Sequence, residues 1–205
     1  MGDLWDRHAL PRLVELACRS HAILDERRRC IPLAAGDVLE IGVGSGLNLS
    51  LYDAAQVRSL EGIDVSEPLL ARARLRAAGL GFPVELVSAP AEALPYDAAR
   101  FDSVVMTYTF CSVGDPSAVL REIRRVTKPG GTLHFIEHGL APDPSVQIWQ
   151  RRITPTWRRV GGNCHLDRDV KTALEKAGYE ITRLRSAYAE EGLRLLSYTH
   201  EGEAR

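Results

Sequence analysis

Three alternating glycines give this sequence its first indication of chemistry. Gly42, Gly44 and Gly46 follow a short strand pattern at 38–41, and a carboxylate, Asp64, ends the next apolar run. Glycine allows a tight backbone turn and leaves room for a ligand against the chain. A strand that leads into such a loop, with an acidic residue after the next strand, is typical of a nucleotide-type cofactor site at the edge of an α/β sheet.

The spacing of these glycines favours one class of cofactor. The pattern is GxGxG and not the GxGxxG of dinucleotide sites, in which the loop brings a helix N-terminus to a pyrophosphate. Glu40, at the end of the first strand, would repel a phosphate and suits a cationic ligand. S-Adenosylmethionine carries an ammonium and a sulfonium group and no phosphate. Asp64 can accept hydrogen bonds from the ribose hydroxyls of either cofactor, so it does not distinguish them.

Strand and helix patterns alternate around this loop. Strands are predicted at 38–41, 57–63, 84–87, 101–106 and 132–136, and helices at 4–18, 22–29, 47–52, 66–78, 115–126 and 169–177. This alternation predicts an α/β fold with a doubly wound, mostly parallel seven-stranded sheet and helices on both faces. The last two strands, at 179–184 and 193–198, lack a long helix between them and are expected to pair antiparallel at the sheet edge.

The length of 205 residues fits a single domain. Within it we expect a helical lid (1–35), a cofactor-binding core (37–138), a substrate cap (140–165), and a C-terminal helix with edge strands (166–205). The cap contains three prolines, two tryptophans and paired arginines, and it is expected to lack regular structure. The run Arg27-Arg28-Arg29 in the lid is interpreted as a solvated helix face and not as an anion site.

The composition argues against several classes of function. With a net charge of −1 the chain has no global field for nucleic acid, and no nucleic-acid partner is expected. The four cysteines are scattered without a CxxC pair, which predicts neither a metal site nor a disulfide framework. No apolar run is long enough to span a membrane, and the start is unlike a signal peptide. We therefore expect a cytoplasmic protein with reduced thiols and no integral membrane segment. The sequence does not indicate an oligomeric state.

Several motifs resemble those of the class I S-adenosylmethionine-dependent methyltransferases. The segment 38–64 resembles their first motif and its follow-on, and later landmarks stand at Ala91–Tyr96, Phe101–Val105 and Lys128–Gly131. A closer likeness is to the methyltransferase-like thiol methyltransferases, and bacterial phospholipid N-methyltransferases share some of its features. This likeness is carried by Phe110–Val113, Leu120–Ile123, Ile136–His138, the segment Trp149–Trp157, Asn163–Leu166 and Arg168.

The resemblance implies S-adenosylmethionine as the cofactor and assigns residues to it. Gly42, Gly44 and Gly46 would approach the methionine moiety, and Glu40 would support the loop and the ammonium group. Asp64 would accept hydrogen bonds from the ribose hydroxyls.

The resemblance also places residues around the adenine. Val65, Ala91 and Glu92 would flank it, and Thr107 would line the floor of the site. Many relatives carry an acidic residue where Pro90 stands, positioned to accept from the adenine amino group. Because proline cannot do so, adenine recognition is expected to fall to backbone groups or to Glu92.

Methyl transfer from a sulfonium requires alignment of the nucleophile with the methyl group and exclusion of water, and no metal is expected. A thiol with a pKa of about 8.5 is partly ionised at neutral pH and needs little help from a base. His138 is the preferred candidate base, because it follows the fifth strand at the edge where ligands bind. A loop histidine without a chemical role is the alternative. Tyr108 is a candidate wall residue with a usable hydroxyl.

The acceptor is expected to contact Trp5 in the lid, Cys111, and Trp149 and Trp157 in the cap. Each assignment has a structural alternative: Cys111 is also a small residue suited to burial, and the tryptophans could pack a loop onto the domain. The cap arginines could face an acidic substrate or lipid headgroups. A transient contact with a membrane surface therefore stays open.

Together these patterns predict an S-adenosylmethionine-dependent methyltransferase that acts on a small apolar acceptor, with a thiol favoured. N- or O-methylation of a phospholipid or quinone-like molecule is the alternative within this class. Outside it, a catalytically silent cofactor-binding sensor or scaffold and a nicotinamide-dependent oxidoreductase are the other candidates.

Overall fold

The computed structural model describes residues 21–189 and 192–205. Trp5 and most of the expected N-terminal lid lie outside the described residues. Numbered along the described residues, the helices are α1 (His21–Cys30), α2 (Glu67–Ala77), α3 (Pro116–Val126), α4 (Pro144–Val160) and α5 (Val170–Lys176). Short 3₁₀ turns lie at Ile31–Leu33 and Leu49–Leu51. The second of these turns replaces the short helix expected at 47–52.

The strands of the described residues form one sheet. They are β1 (Gly36–Ile41), β2 (Val57–Asp64), β3 (Val84–Ser88), β4 (Phe101–Thr107), β5 (Thr127–His138), β6 (Ile181–Tyr188) and β7 (Tyr198–Ala204). Their order is β3-β2-β1-β4-β5-β7-β6. Strand β7 runs antiparallel to both of its neighbours, and the other pairs are parallel. The predicted mostly parallel sheet with an antiparallel edge pair is therefore confirmed.

Both faces of this sheet are covered. Leu39 and Ile41 of β1 belong to one core cluster, which includes residues of α3 and α5. Val38 of the same strand belongs to a second cluster, which includes residues of α2. Because successive side chains of a strand point to opposite sides, these clusters are the two faces of the sheet. The helices therefore pack on both faces, as predicted.

The carboxyl ends of the central strands meet at one edge. Ile41 of β1 pairs with Ile63 of β2 and with Met106 of β4, and Thr107 of β4 pairs with Ile136 of β5. The chain winds outwards from β1 in one direction and from β4 in the other. In open α/β sheets, ligands bind at this edge beside the point where the strand order reverses.

The expected irregular cap is largely a helix, so this prediction was wrong. Helix α4 begins at Pro144, a position where a missing backbone N–H is tolerated. Its buried residue Gln150 donates to the carbonyl oxygens of Gly139 and Leu195, both at 3.1 Å. The same amide accepts from the Ala141 N–H at 3.0 Å. Because polar bonds dock this helix, apolar spacing does not mark its buried face.

The final strand also lies elsewhere than predicted. Strand β7 starts at Tyr198 and not at 193, and it is inserted between β5 and β6. Its sequence YTHEGEA has no apolar alternation. Glu201 is buried in it and accepts two hydrogen bonds from the Arg29 side chain, at 3.1 and 2.8 Å. An ion pair thus takes the place of the apolar contacts that a strand prediction relies on.

Candidate cofactor and acceptor site

A cavity of about 470 Å³ opens at the carboxyl edge of the sheet, within the roughly 300–1,000 Å³ typical of small-molecule sites. Its walls come from α1, from the ends of β1 to β4 and from the turn that follows α4. The described lining residues are Arg27, Gly42–Ser45, Leu47, Ile63–Ser66, Leu69, Ala89, Ala91, Glu92, Thr107–Thr109, Ser112–Gly114, Gly161 and Gly162. Most of the residues assigned to the cofactor from the sequence lie here, but Glu40 and Gly46 do not.

The three glycines of the loop have different neighbours. All have positive φ (70°, 56° and 80°), which glycine adopts without strain. A Cβ on Gly42 would lie 2.0 Å from Thr109 Oγ1, and one on Gly46 would lie 2.7 Å from Leu49 Cδ1. A Cβ on Gly44 would meet only the Gly42 carbonyl oxygen, at 3.9 Å. Gly42 and Gly46 are thus needed for packing within the protein, and of the three only Gly44 leaves open space.

Asp64 connects the glycine loop to β2. Its Oδ2 accepts from the Gly44 N–H at 2.9 Å, and its Oδ1 accepts from the Ser66 N–H at 2.8 Å. Burial raises the pKa of Asp64, and these backbone N–H groups oppose that shift. Each carboxylate oxygen can accept more than one hydrogen bond. The bonds that hold the side chain therefore leave capacity for the hydroxyl groups of a ligand.

Arg27 is a cavity residue that the sequence interpretation missed. It is buried in α1, and its Nη1 donates to Asn48 Oδ1 and to Thr107 Oγ1, the latter at 3.0 Å. Its Nε is buried without a hydrogen-bond partner among the described residues. The guanidinium also lies 5.4 Å from the centre of the Tyr108 ring. A cation in the wall of a cavity suits an anionic group of a ligand.

The expectation of a solvated helix face holds for Arg28 but is wrong for Arg27. Arg28 is exposed and pairs with Asp25 at 2.9 Å, whereas Arg29 reaches across to the buried Glu201 at 2.8 Å. Consecutive residues of a helix point about 100° apart, so three neighbouring arginines face three directions. The charge run alone does not show which of them faces inwards.

Glu40 lies beneath the cavity. It is buried, and its two oxygens accept from Asn48 Nδ2 and from the Tyr52 hydroxyl, both at 2.8 Å. Asn48 in turn accepts from Arg27, so one amide connects the carboxylate to the guanidinium. Burial raises the pKa of Glu40 to about 7, against the lowering effect of its hydrogen bonds and of Arg27. Because Arg27 lines the cavity and Glu40 does not, repulsion of phosphate by Glu40 is a weaker argument than the sequence suggested.

Glu40 is expected to make the folded state less stable as the pH rises. Its folded-state pKa of about 7 lies above the ordinary value of 4.5, so the folded protein binds this proton more tightly than the unfolded chain. Protonated Glu40 therefore stabilises the folded state, by about 3 kcal/mol. This stabilisation is fully present below the unfolded-state pKa of 4.5 and is lost as the pH rises through the folded-state pKa of about 7. The free energy of unfolding, measured in urea between these two pH values, should depend less on pH in Glu40→Gln than in the wild type. The exposed Glu180→Gln serves as a control and should keep the wild-type slope, and an unchanged slope in Glu40→Gln would contradict this assignment.

The expected adenine side of the cavity is built where β3 leaves the sheet. Ala91 and Glu92 both line the cavity there. Glu92 Oε1 accepts from the N–H groups of Gly114 and Asp115, at 2.8 and 3.3 Å, and so connects this segment to the loop between β4 and α3. Val65 stands at the rim with 74% of its surface exposed, where a ligand can cover it.

Tyr108 lies on the cavity wall in a rare backbone conformation. Its φ is +54°, a region that costs a non-glycine residue about 1 kcal/mol or more. Its N–H donates to the Ile136 carbonyl oxygen at 2.8 Å, and its hydroxyl donates to the buried Glu26. Glu26 also accepts from Thr199 Oγ1 at 2.6 Å. Hydrogen bonds of its backbone N–H and of its hydroxyl thus hold the Tyr108 ring in place at the cavity wall.

His138, the preferred candidate base, ends β5 at the expected edge but does not line the cavity. Its Nε2 lies 3.1 Å from Cys164 Sγ. Cys111 is buried in the same group and does not line the cavity either. The strand position thus predicted the edge at which His138 stands, while packing determines the direction of its ring.

The cap reaches the cavity through its end and not through its tryptophans. Gly161 and Gly162, which follow α4, line the cavity, whereas Trp149 and Trp157 do not. Trp149 is 54% exposed on α4, and the Arg152 guanidinium lies 5.7 Å from the centre of its ring. Of the helices that the structure describes, α4 included, none has the combined length and apolarity required to cross a membrane.

Comparison with known proteins agrees with this geometry. A methyltransferase domain model matches residues 39–135. The chain is 34% identical over 149 residues to thiol S-methyltransferase TMT1B of Rattus norvegicus, a match that covers 72% of this chain and 61% of that protein. It is 39% identical over 105 residues to phosphatidylethanolamine N-methyltransferase of Cereibacter sphaeroides, covering 50% and 51% of the two chains. The chain thus spans about three fifths of the length of the thiol methyltransferases that it matches.

A solved structure has the same fold. An S-adenosylmethionine-dependent methyltransferase from Mesorhizobium loti matches with a TM-score of 0.70 at 19% identity, over 91% of this chain and 98% of that one. The matched domain contains the glycine loop and Asp64, and the predicted cofactor, S-adenosylmethionine, is confirmed. The chain therefore belongs to the class I S-adenosylmethionine-dependent methyltransferases.

Proposed function

We propose that this protein transfers a methyl group from S-adenosylmethionine to a small, apolar thiol. The observation that carries the choice of acceptor is the 34% identity to a thiol S-methyltransferase over 72% of this chain. The cavity supports the choice because it combines ionic groups with apolar wall residues such as Val113. A small apolar molecule would lose its water there and lie beside the cofactor.

The residues of the cavity fit the two polar ends of the cofactor. We propose that Asp64 accepts hydrogen bonds from the ribose hydroxyls and that the guanidinium of Arg27, which lines the cavity, donates to the carboxylate of the methionine moiety. Gly44 leaves the space through which the loop backbone can approach the ligand. Glu40 acts indirectly in this proposal, since both of its oxygens are bonded to other side chains and one of those, Asn48, holds Arg27.

The remaining cofactor residues would surround the adenine. Val65 at the rim and Ala91 after β3 offer apolar contact, and Glu92 holds the loop that closes this side through its bond to Gly114. The Pro90 side chain supplies no acceptor for the adenine amino group. We therefore propose that shape and backbone groups select the adenine more than a carboxylate does.

When bound, S-adenosylmethionine supplies an electrophilic methyl group on a sulfonium, which an acceptor sulfur can take by in-line displacement. The chain's own residues have to position the acceptor and receive its proton. Tyr108 is the candidate that lies on the cavity: its phenol oxygen can take the thiol proton while its own hydroxyl proton passes to Glu26. About a tenth of a thiol with a pKa of about 8.5 is already ionised at pH ~7.5, so this relay assists transfer and is not a strict requirement.

A phospholipid acceptor is the second candidate. The likeness to a phosphatidylethanolamine N-methyltransferase favours it, and so does the exposed surface of α4. Ile148 and Trp149 of α4 are half exposed, and Arg151 and Arg152 follow them on the surface. Apolar and cationic side chains in this arrangement suit the headgroup region of a lipid surface. Quinone-like acceptors belong to the same alternative.

Radiolabelled cofactor distinguishes these acceptors. The protein is incubated with methyl-labelled S-adenosylmethionine and either a panel of small alkyl and aryl thiols, phosphatidylethanolamine vesicles or a demethylated quinone. We expect label in the thiol products and formation of S-adenosylhomocysteine, and we expect neither from Asp64→Ala. Label in lipid or quinone alone would overturn the thiol assignment. Stoichiometric cofactor binding without S-adenosylhomocysteine on any acceptor would instead support a sensor or scaffold.

A further inference from the structure

We propose that Cys111, His138 and Cys164 form a binding site for a thiophilic divalent cation, and that Zn²⁺ is the ion that their ligand set matches. The ligand atoms of these three residues all lie within 4.8 Å of one another. Two thiolates and an imidazole are a common set of protein ligands for zinc. They come from the loop after β4, the end of β5 and the turn after α4. No short spacing connects them, which is why the sequence predicted no metal.

The distances suit tetrahedral coordination. His138 Nε2 lies 3.1 Å from Cys164 Sγ. With Zn–S bonds of about 2.3 Å and Zn–N bonds of about 2.05 Å, tetrahedral angles place neighbouring ligand atoms about 3.5–3.8 Å apart. The observed 3.1 Å and the upper limit of 4.8 Å lie on either side of these values. Side-chain shifts of about 1 Å would close the three residues around an ion.

The protein holds the three segments together by its own hydrogen bonds. The N–H of His165 donates to the Cys111 carbonyl oxygen at 2.8 Å, and the Asn163 side chain donates to the Ser112 carbonyl oxygen at 2.8 Å. Asn163 has a φ of +63°, a conformation that asparagine tolerates better than most residues. His138 is fixed by the pairing of β5 with β7. The three segments that carry the ligands are therefore held together before any ion binds, and only their side chains have to adjust.

The charges around the group are compatible with a dication. Two thiolates neutralise a divalent ion, and both cysteines are free thiols in this structure. Glu137 is buried next to His138, and Arg168 lies near both cysteines. The Arg168 guanidinium is also engaged by backbone carbonyl oxygens in the loop after β4.

The group stands behind two walls of the cofactor cavity. Ser112 and Gly162 line the cavity, and each is within two residues of one of the cysteines. An ion bound here would connect the loop after β4 to the end of the cap, and its fourth position would be left to water. This site goes beyond the proposed methyl transfer and does not depend on which acceptor is used.

Cobalt substitution tests the site directly. The full chain, purified under a phosphine reductant and treated with a chelator, is titrated with Co²⁺. We expect one equivalent per chain, with visible bands of a tetrahedral ion, a near-ultraviolet thiolate-to-cobalt band, and displacement by Zn²⁺. Cys111→Ser and Cys164→Ser should each weaken Zn²⁺ binding by roughly 100-fold or more. Cys30→Ala, which removes a buried thiol bonded to the Phe135 carbonyl oxygen, is the matched control and should bind as wild type.

Three results would overturn the proposal. The first is a wild-type Co²⁺ spectrum without the thiolate band, and the second is Co²⁺ or Zn²⁺ binding that is unchanged in both serine variants. The third is a Cys111–Cys164 disulfide that persists under reductant, because it would remove both thiolates. Where the serine variants fail to fold, His138→Ala keeps both sulfurs and should shift the visible bands; unchanged bands would exclude the site. No assay here contains S-adenosylmethionine or an acceptor, so failure of this site and failure of the proposed function are separate outcomes.

Discussion

Asp64→Ala should weaken binding of S-adenosylhomocysteine by at least about 100-fold. Two ribose hydroxyls that donate to a buried carboxylate make charge-assisted hydrogen bonds, each worth about 1.5–3 kcal/mol, and their combined loss is roughly 100-fold or more in affinity. The substitution also removes the acceptor for the N–H groups of Gly44 and Ser66, which loosens the glycine loop. Titration calorimetry with S-adenosylhomocysteine and with adenosine measures the effect, and both ligands should bind more weakly.

Arg27→Met is the matched variant for the other end of the cofactor. It should lower the affinity for S-adenosylhomocysteine by roughly tenfold or more, because a buried charge-assisted bond is lost. It should leave adenosine binding unchanged, since adenosine has no carboxylate. Loss of adenosine binding in Arg27→Met would show that Arg27 acts through the fold. Unchanged S-adenosylhomocysteine binding in Asp64→Ala would remove Asp64 from the ribose site.

The difference between these two residues also explains which parts of the site could be predicted. Asp64 ends β2, and only one short 3₁₀ turn lies between the glycine loop and that strand. Its place at the sheet edge therefore follows from local sequence patterns. Arg27 reaches the same cavity only because α1 docks against residues far along the chain, such as its partner Thr107. No local pattern specifies how a helix rotates about its axis when it docks.

The parts of the fold that were predicted wrongly share a physical cause. Helix α4 is docked by the amide of Gln150, and β7 is held in the sheet with the buried Glu201 paired to Arg29. Hydrophobic periodicity reports apolar burial, so elements that are buried through polar bonds escape it. The group of Cys111, His138 and Cys164 escaped for a related reason, because its members meet only after three separate segments have folded.

Gly42→Ala should destabilise the fold much more than Gly44→Ala, although both glycines stand in one loop. Positive φ costs alanine about 1 kcal/mol at either position. At Gly42 the added methyl would also lie 2.0 Å from Thr109 Oγ1, and the Thr109 backbone is held by a 2.9 Å bond to Glu137. Displacing Thr109 brings the expected loss to about 2–4 kcal/mol, a fall in Tm of roughly 5–15 °C, against about 2–4 °C for Gly44→Ala.

Ligand affinity should also distinguish Gly42→Ala from Gly44→Ala, and here we expect a clear loss in Gly44→Ala. The Gly44→Ala methyl would stand in open space at the cavity lining, so the affinity for S-adenosylhomocysteine should fall by about tenfold or more while Tm changes little. Thr109→Ala removes two of the three atoms that crowd Gly42, and Gly42→Ala should therefore lower Tm less in that background than in the wild type. Strictly additive Tm changes would show that contact with Thr109 is not the cause. A smaller loss in the double variant would mean that contact with Thr109 is what makes Gly42 necessary for the packing of the loop.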